Sequence, residues 1–422
     1  MQPGGRLSLT AGAGGVQAVL ISPDGMQRSL APQAEGVLIA PATDSPEPTP
    51  LAFGKERYRG RLQILAAEEG RLMAINQLPL ETYLASVVGS EMPASWPQPA
   101  LQAQAVAART YAMGQLRPSS PYDLKATVES QAYRGLAAET DSTRAAVAST
   151  RGEVLMAEGR LIQAVFHSSS GGSTEDSGQV WSRQLPYLVS VPDFDDDSPV
   201  SRWQLRLEPE QLRRLFRETD GVRRIEVLAK SGSGRIRRAR VIGPAGVLEL
   251  TGGELRQRLG LRSTLVTFQL QPVPLPAAAI APGAAPSGSR PGERLAWSQP
   301  QAPQAAAGSI ARDVRRQLRL AEPGNGAVLD SASGAVLLPA ITPPPLIGGG
   351  PSGPVASDPA PAATAPATAP VWYALLVEGR GFGHGVGMSQ WGAFAMARQG
   401  RTYAQILRHY YRGVELVPYP SP

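Results

Sequence analysis

The sequence contains no cysteine among its 422 residues, and this absence excludes disulfide bonds and thiolate metal ligands. Histidine is almost as scarce, with only three in the chain, at positions 167, 384 and 409. None of the three has the paired spacing of a zinc motif, so we predict no metal and no other cofactor. Cysteine usage does not indicate the redox compartment, because a chain without cysteine fits oxidising and reducing surroundings alike.

Lysine is also rare: it occurs only at Lys55, Lys125 and Lys230. Nearly all of the positive charge behind the formal net charge of +6 is therefore arginine, which suits the planar recognition of carboxylates. A basic protein can bind nucleic acid, but here the basic residues are scattered, and no helix-turn-helix, zinc finger or RNP-like segment accompanies them. We predict no nucleic-acid partner.

Long apolar runs are missing as well. No stretch of the sequence approaches the ~18 apolar residues that a helix needs to span a bilayer, so no transmembrane segment is predicted. The first residues, MQPGGRLSLTAGAGG, lack the basic region and apolar core of a secretory signal. An export route is therefore not visible in the sequence.

One long segment lacks a core-forming pattern. Residues 272–370 are dominated by proline, alanine, glycine and serine, and such a composition cannot bury enough apolar surface to order itself. It predicts a disordered insert. Only its middle part, 308–340, is compatible with a helix and a hairpin.

The clearest pattern that is present lies in residues 78–116. Apolar residues recur there at the i, i+3, i+4, i+7, i+8 spacing of one helix face: Leu80, Tyr83, Leu84, Val87 and Val88. Pro93 cannot continue this helix and biases the residue before it towards an extended conformation. We expect the helix to end near residue 90 or 91.

A second helix is predicted after the WPQP segment, since Pro97 and Pro99 are tolerated in a first turn whose amide hydrogens have no intrahelical partner. It should run to about Leu116. Its predicted inner face consists of residues that are mostly small and allow close packing: Leu101, Ala105, Ala108 and Ala112. Arg109 and Tyr111 flank this face.

Glu91 is the residue to which the pattern assigns chemistry. A carboxylate at the negative end of a helix, next to Met92 and Trp96, has two reasons to retain its proton, and both raise its pKa. A general acid near neutral pH needs that shift, and a glutamate in an apolar pocket typically serves as the acid in glycosidic cleavage. The alternative is a solvated loop glutamate, which the pattern alone favours.

Two stretches carry a resemblance to a known family. In the first, the matching residues are Leu80, Glu81, Tyr83, Leu84, Val87, Glu91, Met92, Pro93, Ala100, Leu101, Ala103, Gln104, Ala105, Val106, Ala107, Arg109, Thr110, Tyr111 and Ala112. The second is GRGFGHGVGMSQWGAFAMARQGRTYAQILRHYYRGVEL at 379–416. Together they resemble the two motifs of the sporulation stage II protein D family (SpoIID/LytB). Two long motifs in the same order make the resemblance specific.

The resemblance implies a lytic transglycosylase that acts on peptidoglycan glycan strands stripped of their stem peptides, in the extracytoplasmic cell envelope. It also implies that Glu91 is the catalytic acid and base, which leaves 1,6-anhydro-N-acetylmuramoyl ends. Such strands keep a lactyl carboxylate on every second sugar, a partner for an arginine-lined groove. The alternative is a non-catalytic peptidoglycan-binding module that recruits or stimulates an N-acetylmuramoyl-L-alanine amidase, a role also associated with relatives of this family.

His167 ends a predicted strand in front of the turn SSSGG, which contains Ser170. A histidine here binds substrate, orients Glu91 or satisfies a hydrogen bond in the loop, and the sequence leaves these alternatives open. Some family members bind zinc through cysteines downstream of this histidine. Because this chain has serines and glycines there, the metal does not carry over.

Glycines alternate in the second motif, from Gly379 to Gly387. Neither the Rossmann nor the P-loop spacing is met, so we expect a backbone that lies flat beneath a sugar chain. A strained structural turn is the alternative, and the pattern alone favours it. Helices are predicted at 391–399 and 403–411. The substrate-binding residues that we predict from both motifs and the His167 turn are Arg109, Tyr111, His167, Ser170, His384, Ser389 and Gln390.

The other segments mix strands and helices. Residues 6–76 alternate short apolar runs with turn signals, and the last pair, RLQILA and RLMAIN, predicts a hairpin. A helix is expected at 140–150, followed by a hairpin through Glu158 and Gly159. Four acids at 193–197 form either a calcium site or, as we expect, a solvated loop.

These elements predict an α+β fold, in which helices and small antiparallel sheets form a substrate groove that a long disordered insert interrupts. The SpoIID-like domain is expected at 1–271, with a small α+β lobe at 203–270. The insert covers 272–370, and 371–422 forms the C-terminal part of the domain. In terms of the family, the insert splits a strand pair between TFQL before it and WYALLVEGRGFG after it.

Overall fold

A computed structural model describes residues 5–41, 49–273, 317–324, 327–329 and 372–419. In this part of the chain the α-helices are α1 Leu80–Glu91, α2 Gln98–Gly114, α3 Asp141–Ser149, α4 Ser177–Val180, α5 Pro209–Leu215, α6 Gly252–Leu259, α7 Gln390–Arg398 and α8 Tyr403–Tyr410. The strands are β1 Arg6–Gly12, β2 Gly15–Ile21, β3 Gln27–Ser29, β4 Val37–Ile39, β5 Leu51–Phe53, β6 Glu56–Tyr58, β7 Arg61–Ala66, β8 Leu72–Pro79, β9 Leu124–Lys125, β10 Glu153–Ala157, β11 Arg160–Leu161, β12 Phe166–His167, β13 Arg202–Leu207, β14 Arg224–Lys230, β15 Ile236–Gly243, β16 Gly246–Thr251, β17 Val266–Val273, β18 Gln317–Gly324, β19 Ala327–Leu329, β20 Trp372–Arg380, β21 Met388–Ser389 and β22 Glu415–Pro418. The predicted α+β class is confirmed.

The region before α1 is built from strands, as its alternating pattern predicts. β7 and β8 pair antiparallel with Ala66 opposite Leu72, which confirms the predicted hairpin. β8 ends at Pro79 and α1 begins at the next residue, so the sheet fixes where the first helix starts.

α1 and α2 pack against each other at the centre of the larger of two hydrophobic cores. The predicted inner face of α2 is confirmed: Leu101, Ala105, Ala108 and Ala112 are fully buried. Small side chains there let α1, α3, α7 and α8 all approach the same helix. α2 is therefore the element on which the N-terminal and C-terminal motifs meet.

The predicted helix after α2 and the hairpin that follows it are confirmed. Thr140 caps α3 by accepting a hydrogen bond from the Thr143 amide. β10 and β11 then pair around Glu158 and Gly159, which both have positive φ angles, 50° and 71°, as a tight primed turn requires.

A second, smaller core lies in the lobe predicted at 203–270. β20 is the central strand of the sheet β13-β20-β17, and it pairs antiparallel with β17 so that Gly379 lies opposite Val266. The strand pair that we expected across the insert is therefore confirmed. β14, β15 and β16 form a separate antiparallel sheet in the same lobe.

Most of the predicted insert lies outside the described residues, including the start of the segment in which we expected a helix and a hairpin. Two strands inside it are described. β18 lies between β8 and β9, and β19 pairs with β1, so these strands extend the N-terminal sheets rather than form a hairpin with each other.

The C-terminal motif returns to the helices of the larger core. β21 pairs in parallel with β12, with Ser389 opposite His167, and α7 and α8 follow within one residue of their predicted bounds. Both helices pack on α2. None of the helices in the described ranges is long and apolar enough to cross a membrane.

Candidate active site

Glu91 is the last residue of α1, where Pro93 ends the helix as predicted. Its side chain is half-buried and held at both oxygens. The backbone amide of Ala132 donates a 2.8 Å hydrogen bond to Oε1, and Gln390 Nε2 donates a 3.0 Å hydrogen bond to Oε2. The carboxyl group is therefore fixed from one side by a loop after α2 and from the other by the first residue of α7.

Burial raises the pKa of Glu91 above its ordinary value. The hydrogen bonds from Ala132 and Gln390 and the positive charge of Arg134 favour the ionised form and oppose the rise, but burial is the larger effect. The predicted direction is therefore found. The helix end and the apolar neighbours were the expected causes, whereas burial dominates in the structure.

The loop that reaches Glu91 is held against the two central helices. Tyr83 of α1 donates a 2.9 Å hydrogen bond from its hydroxyl to Gln131 Oε1, and Gln131 Nε2 donates to the Ala108 carbonyl at 3.3 Å. This arrangement places the Ala132 amide at Glu91. Burial, together with the charge of Glu91, raises the pKa of Tyr83, so its hydroxyl remains a donor.

Tyr111 lies beside this loop, half-buried against the larger core and hydrogen-bonded to the Ser130 side chain. It is not a hydrogen-bond partner of Glu91, so its predicted contact with substrate stays a prediction. Arg134, two residues after Ala132, is exposed and was not among the predicted site residues. No helical or strand periodicity in QAYRG distinguishes it.

Arg109 is buried and directed to protein groups, and its predicted contact with substrate stays a prediction. Its side chain is only 1% exposed and makes a two-pronged ion pair with Glu81, from Nε and Nη2 at 2.8 Å each. The remaining donors reach the carbonyls of Glu153 at 3.1 Å and Val147 at 3.3 Å. With its hydrogen bonds directed to protein groups, Arg109 ties α1, α2, α3 and β10 together.

His167 and His384 lie next to each other, with ring centroids 5.4 Å apart. His167 Nδ1 donates to the Val386 carbonyl at 3.1 Å, because a carbonyl can only accept, and His384 Nδ1 accepts from the Val386 amide at 3.0 Å. Burial and the charges of Arg235 and Arg256 lower the pKa of His167 to about 3. Burial lowers the pKa of His384 as well, so both rings are neutral near neutral pH.

The alternating glycines permit this close packing. Gly383 has a φ of 121°, and a Cβ atom there would lie 2.6 Å from His167 Cβ. The expectation of a flat strip beneath a sugar chain is therefore replaced by a tight turn against the His167 strand, the alternative that the pattern alone favoured. His384 remains half-buried at this turn, with the Trp181 ring centroid 5.4 Å away.

Ser170 and Ser389 are fully buried, and their predicted contact with substrate stays a prediction. Ser170 donates to Asp193 and lies 3.3 Å from His167 Nε2. Ser389 caps α7 by accepting from the Gly392 amide at 3.2 Å. Their role is to hold the turn and the start of α7, and therefore Gln390, in place. His167, only 4% exposed, belongs to the same buried group.

The solvated loop that we expected at 193–197 is wrong for two of its acids, because Asp193 and Asp195 are both buried. Asp195 accepts hydrogen bonds from the amides of Gly171 at 2.7 Å and Gly172 at 2.9 Å. Asp193 accepts from the Tyr410 hydroxyl of α8. Burial and the charge of Asp195 raise the pKa of Asp193. Gly392 is required here, because a Cβ atom would lie 1.8 Å from Asp193 Oδ1.

Arg235 of the smaller lobe is the buried cation of this network, and it too was missed. Its Nη2 donates to the carbonyls of Ser170 at 2.6 Å and Ser173 at 3.1 Å. Burial lowers its pKa, while the charges of Glu175, Asp195 and Asp193 oppose this change. The guanidinium therefore links the smaller lobe to the turn that carries His167.

A search for metal-ligand sets finds no group of three or more histidine, aspartate or glutamate side chains that could hold an ion in the described ranges. The absence of a metal stays a prediction. A cavity with a volume of about 610 Å³ lies in the smaller lobe and is lined by Trp203, Lys230 and Arg380 among others. Glu91 and its partners are not part of its wall.

The fold and the site define an α+β protein in which two distant motifs close around one glutamate. The sequence model of the family described as SpoIID, stage II sporulation protein, matches residues 68–156. A Stage II sporulation protein D of Bacillus amyloliquefaciens is 26% identical over 81% of this chain and 75% of its own. Its namesake in Bacillus subtilis (strain 168) is 25% identical over 87% and 82%. The chain is therefore similar to proteins of the SpoIID/LytB family over most of its length, and residues 68–156 match the family's sequence model.

A third relative has a different name. The Amidase enhancer of Bacillus subtilis (strain 168) is 42% identical, but the match covers 31% of this chain and 17% of that protein.

Proposed function

We propose that this protein is a lytic transglycosylase that cleaves peptidoglycan glycan strands freed of stem peptides and leaves 1,6-anhydro-N-acetylmuramoyl ends. Its similarity to this family supports a role at the peptidoglycan. The observation that carries the catalytic proposal is the half-buried Glu91 carboxyl, held between the Ala132 amide and Gln390 with its pKa raised. A protonated carboxyl in a fixed orientation is the requirement for general acid catalysis.

In the proposed reaction, Glu91 first donates its proton to the bridging glycosidic oxygen as the bond from that oxygen to the muramoyl anomeric carbon breaks. The resulting carboxylate then accepts the proton of the 6-hydroxyl of the same muramoyl unit. The 6-oxygen bonds to the anomeric carbon and closes the anhydro ring. Glu91 regains its proton, so the reaction consumes no water.

The surroundings of Glu91 suit both halves of this cycle. Burial favours the protonated form that starts the reaction, while the two hydrogen bonds stabilise the carboxylate that forms in the middle. Among the described residues, the charge that shifts the pKa of Glu91 is that of a cation, Arg134. Hydrolytic glycosidases generally use two carboxyl groups, so a single one favours a mechanism with an internal nucleophile.

Three experiments test this proposal. Purified protein is incubated with glycan strands freed of stem peptides, and the products are analysed by mass spectrometry for anhydro ends. Glu91→Gln keeps the shape of the side chain but cannot transfer the proton, so turnover should fall by ~10²-fold or more. In ¹⁸O-labelled water, no label should enter the new ends. Label incorporation, or undiminished cleavage by Glu91→Gln, would refute the mechanism.

The second candidate function is a peptidoglycan-binding module that stimulates an N-acetylmuramoyl-L-alanine amidase. The similarity to the relative named Amidase enhancer favours it. Intact glycan strands after incubation, together with faster peptide release by an added amidase, would select this function over the first. Both candidates place the protein in the extracytoplasmic cell envelope.

A further inference from the structure

Three aromatic side chains form a continuous cluster on the α7 side of Glu91. We call Trp96, Trp391 and Phe394 the aromatic triad. The ring centroid of Trp96 lies 4.9 Å from that of Trp391 and 4.8 Å from that of Phe394, and the latter two centroids are 5.4 Å apart. Each ring therefore contacts both of the others.

The chain places the aromatic triad next to the candidate acid. Trp391 directly follows Gln390, whose side chain donates to Glu91 Oε2. Phe394 is three residues further along α7, so it lies on the same helix face as Trp391. Trp96 belongs to the turn that follows Glu91, where its amide donates to the Pro93 carbonyl at 3.0 Å. Both helix ends that fix Glu91 therefore contribute to the triad.

The aromatic triad contacts the protein core and is also partly exposed to solvent. All three rings are partly exposed, and Trp96 also packs against the larger core. On one side, the guanidinium of Arg398 lies 5.6 Å from the Phe394 ring centroid and is held by Asp197 at 3.4 Å. A contiguous aromatic surface at the solvent boundary is typical of an interaction site, because burying all three rings would be more favourable without a ligand.

A purely structural role would be to attach α7 to the turn after α1. Aromatic pairs contribute only modestly to stability beyond the area that they bury. That role needs neither partial exposure nor a position beside the carboxyl group. Pyranose rings, by contrast, present an apolar face of C–H groups and a rim of hydroxyls, which matches flat rings next to polar groups.

We infer that the aromatic triad is a saccharide-binding subsite, which holds one amino-sugar ring of a glycan strand beside the bond that Glu91 acts on. The identity of the saccharide rests on the proposed function. The occupant is a sugar rather than a protein surface because the triad adjoins the candidate catalytic group.

The test measures binding separately from cleavage. In the Glu91→Gln background, the Kd for glycan strands freed of stem peptides is determined by calorimetry. Trp391→Ala and Phe394→Ala should each weaken binding about tenfold, equivalent to ~1.4 kcal/mol. Trp391→Tyr, which keeps a flat ring, should restore most of the affinity. Phe194→Ala removes a 41%-exposed aromatic ring outside the triad and should leave the Kd unchanged. Thermal unfolding of each variant verifies that it is folded.

The outcomes separate this inference from the catalytic proposal. Unchanged affinity in folded Trp391→Ala and Phe394→Ala would overturn the subsite, even if Glu91→Gln abolishes cleavage. Weakened affinity would support the subsite, even if the wild-type protein cleaves nothing. If both alanine variants lose stimulation of an amidase but keep their affinity for glycan, the triad is a protein-docking surface and the inference is wrong.

Discussion

Gln390 Nε2 lies 3.0 Å from Glu91 Oε2, although the two residues are 299 positions apart in the sequence. The contact joins the first residue of α7 to the last residue of α1. It requires α7 to start where it does, which Ser389 ensures as the cap and Asp193 supports through Ser389. The C-terminal motif therefore completes the site that the N-terminal motif begins.

Gln390→Leu should change the pH dependence of cleavage. The Gln390 hydrogen bond lowers the pKa of Glu91, so its removal raises that pKa further. Because the reactive form is protonated, the loss of activity on the alkaline side should move to higher pH. The kcat should also fall about tenfold, as expected for a hydrogen bond to a charged group.

The measurement is a pH–rate profile on glycan strands of defined length. Gln399→Leu is a matched control, because Gln399 lies at the other end of α7 and is exposed. An alkaline limb that moves to lower pH in Gln390→Leu would contradict the assignment.

Glu91→Gln should stabilise the folded protein near neutral pH. A carboxyl whose pKa is raised on folding binds its proton more tightly in the folded state, so stability is lost as pH rises above the unfolded value of 4.5. Glutamine is neutral at every pH and avoids this loss. Urea titrations at pH 7 and pH 4 give the free energy of unfolding of both proteins. At pH 7 the value for Glu91→Gln should exceed that of the wild type, and at pH 4 the difference should be smaller. A variant less stable than wild type at pH 7 would argue against a raised pKa.

His167 should make the fold sensitive to acid. Its pKa falls from 6.5 to about 3 on folding, so between these values the unfolded chain binds a proton that the folded protein does not. Stability should therefore decline as pH falls from 6.5 towards 3, with no contribution from this group above pH 6.5. His167→Gln keeps a donor and an acceptor but cannot titrate. Subtracting its stability curve from that of the wild type should give a difference that changes only within this interval.

Arg109→Met should lower the free energy of unfolding without changing the affinity for glycan strands. The substitution leaves Glu81 without its ion-pair partner and removes donors to two carbonyls, a loss of about 3 kcal/mol for a buried pair broken on one side. As a control, Arg71→Met removes an exposed partner of Glu69 and should cost less than ~1 kcal/mol. Denaturant titration measures both.

The folded fraction of Arg109→Met should bind glycan strands with the wild-type Kd. Weakened binding in protein shown to be folded would keep Arg109 among the substrate-binding residues.

Local rules in the sequence determined much of the architecture. The bounds of α1 and α2 follow from apolar spacing and from Pro93, Pro97 and Pro99, which act within a few residues of themselves. The turn at Glu158 and Gly159 follows from an equally local signal, whereas the pairing of β17 with β20 across the insert was expected from the family resemblance. A helix end and apolar neighbours drew attention to Glu91, but the pattern alone favoured a solvated loop glutamate, and the family resemblance was needed to propose it as the catalytic residue.

The partners of Glu91 were decided by tertiary structure. The Ala132 amide and the charge of Arg134 come from a loop without periodicity, and no local pattern reports which backbone amide points at a distant carboxylate. Gln390 was predicted to lie near the substrate, but its hydrogen bond to Glu91 depends on how α7 packs on α2.

Burial also changed the interpretation of residues that we expected to contact substrate or solvent. Arg109, Ser170 and Ser389 are buried, and their polar groups bind other protein groups. Asp193 and Asp195 are buried as well and accept hydrogen bonds from backbone amides and hydroxyls. A charged or hydroxyl side chain looks the same in the sequence whether its hydrogen-bond partners are water molecules or protein groups. Only the packing of one segment against another removes the water, and that packing sets both the pKa of Glu91 and the neutral state of His167.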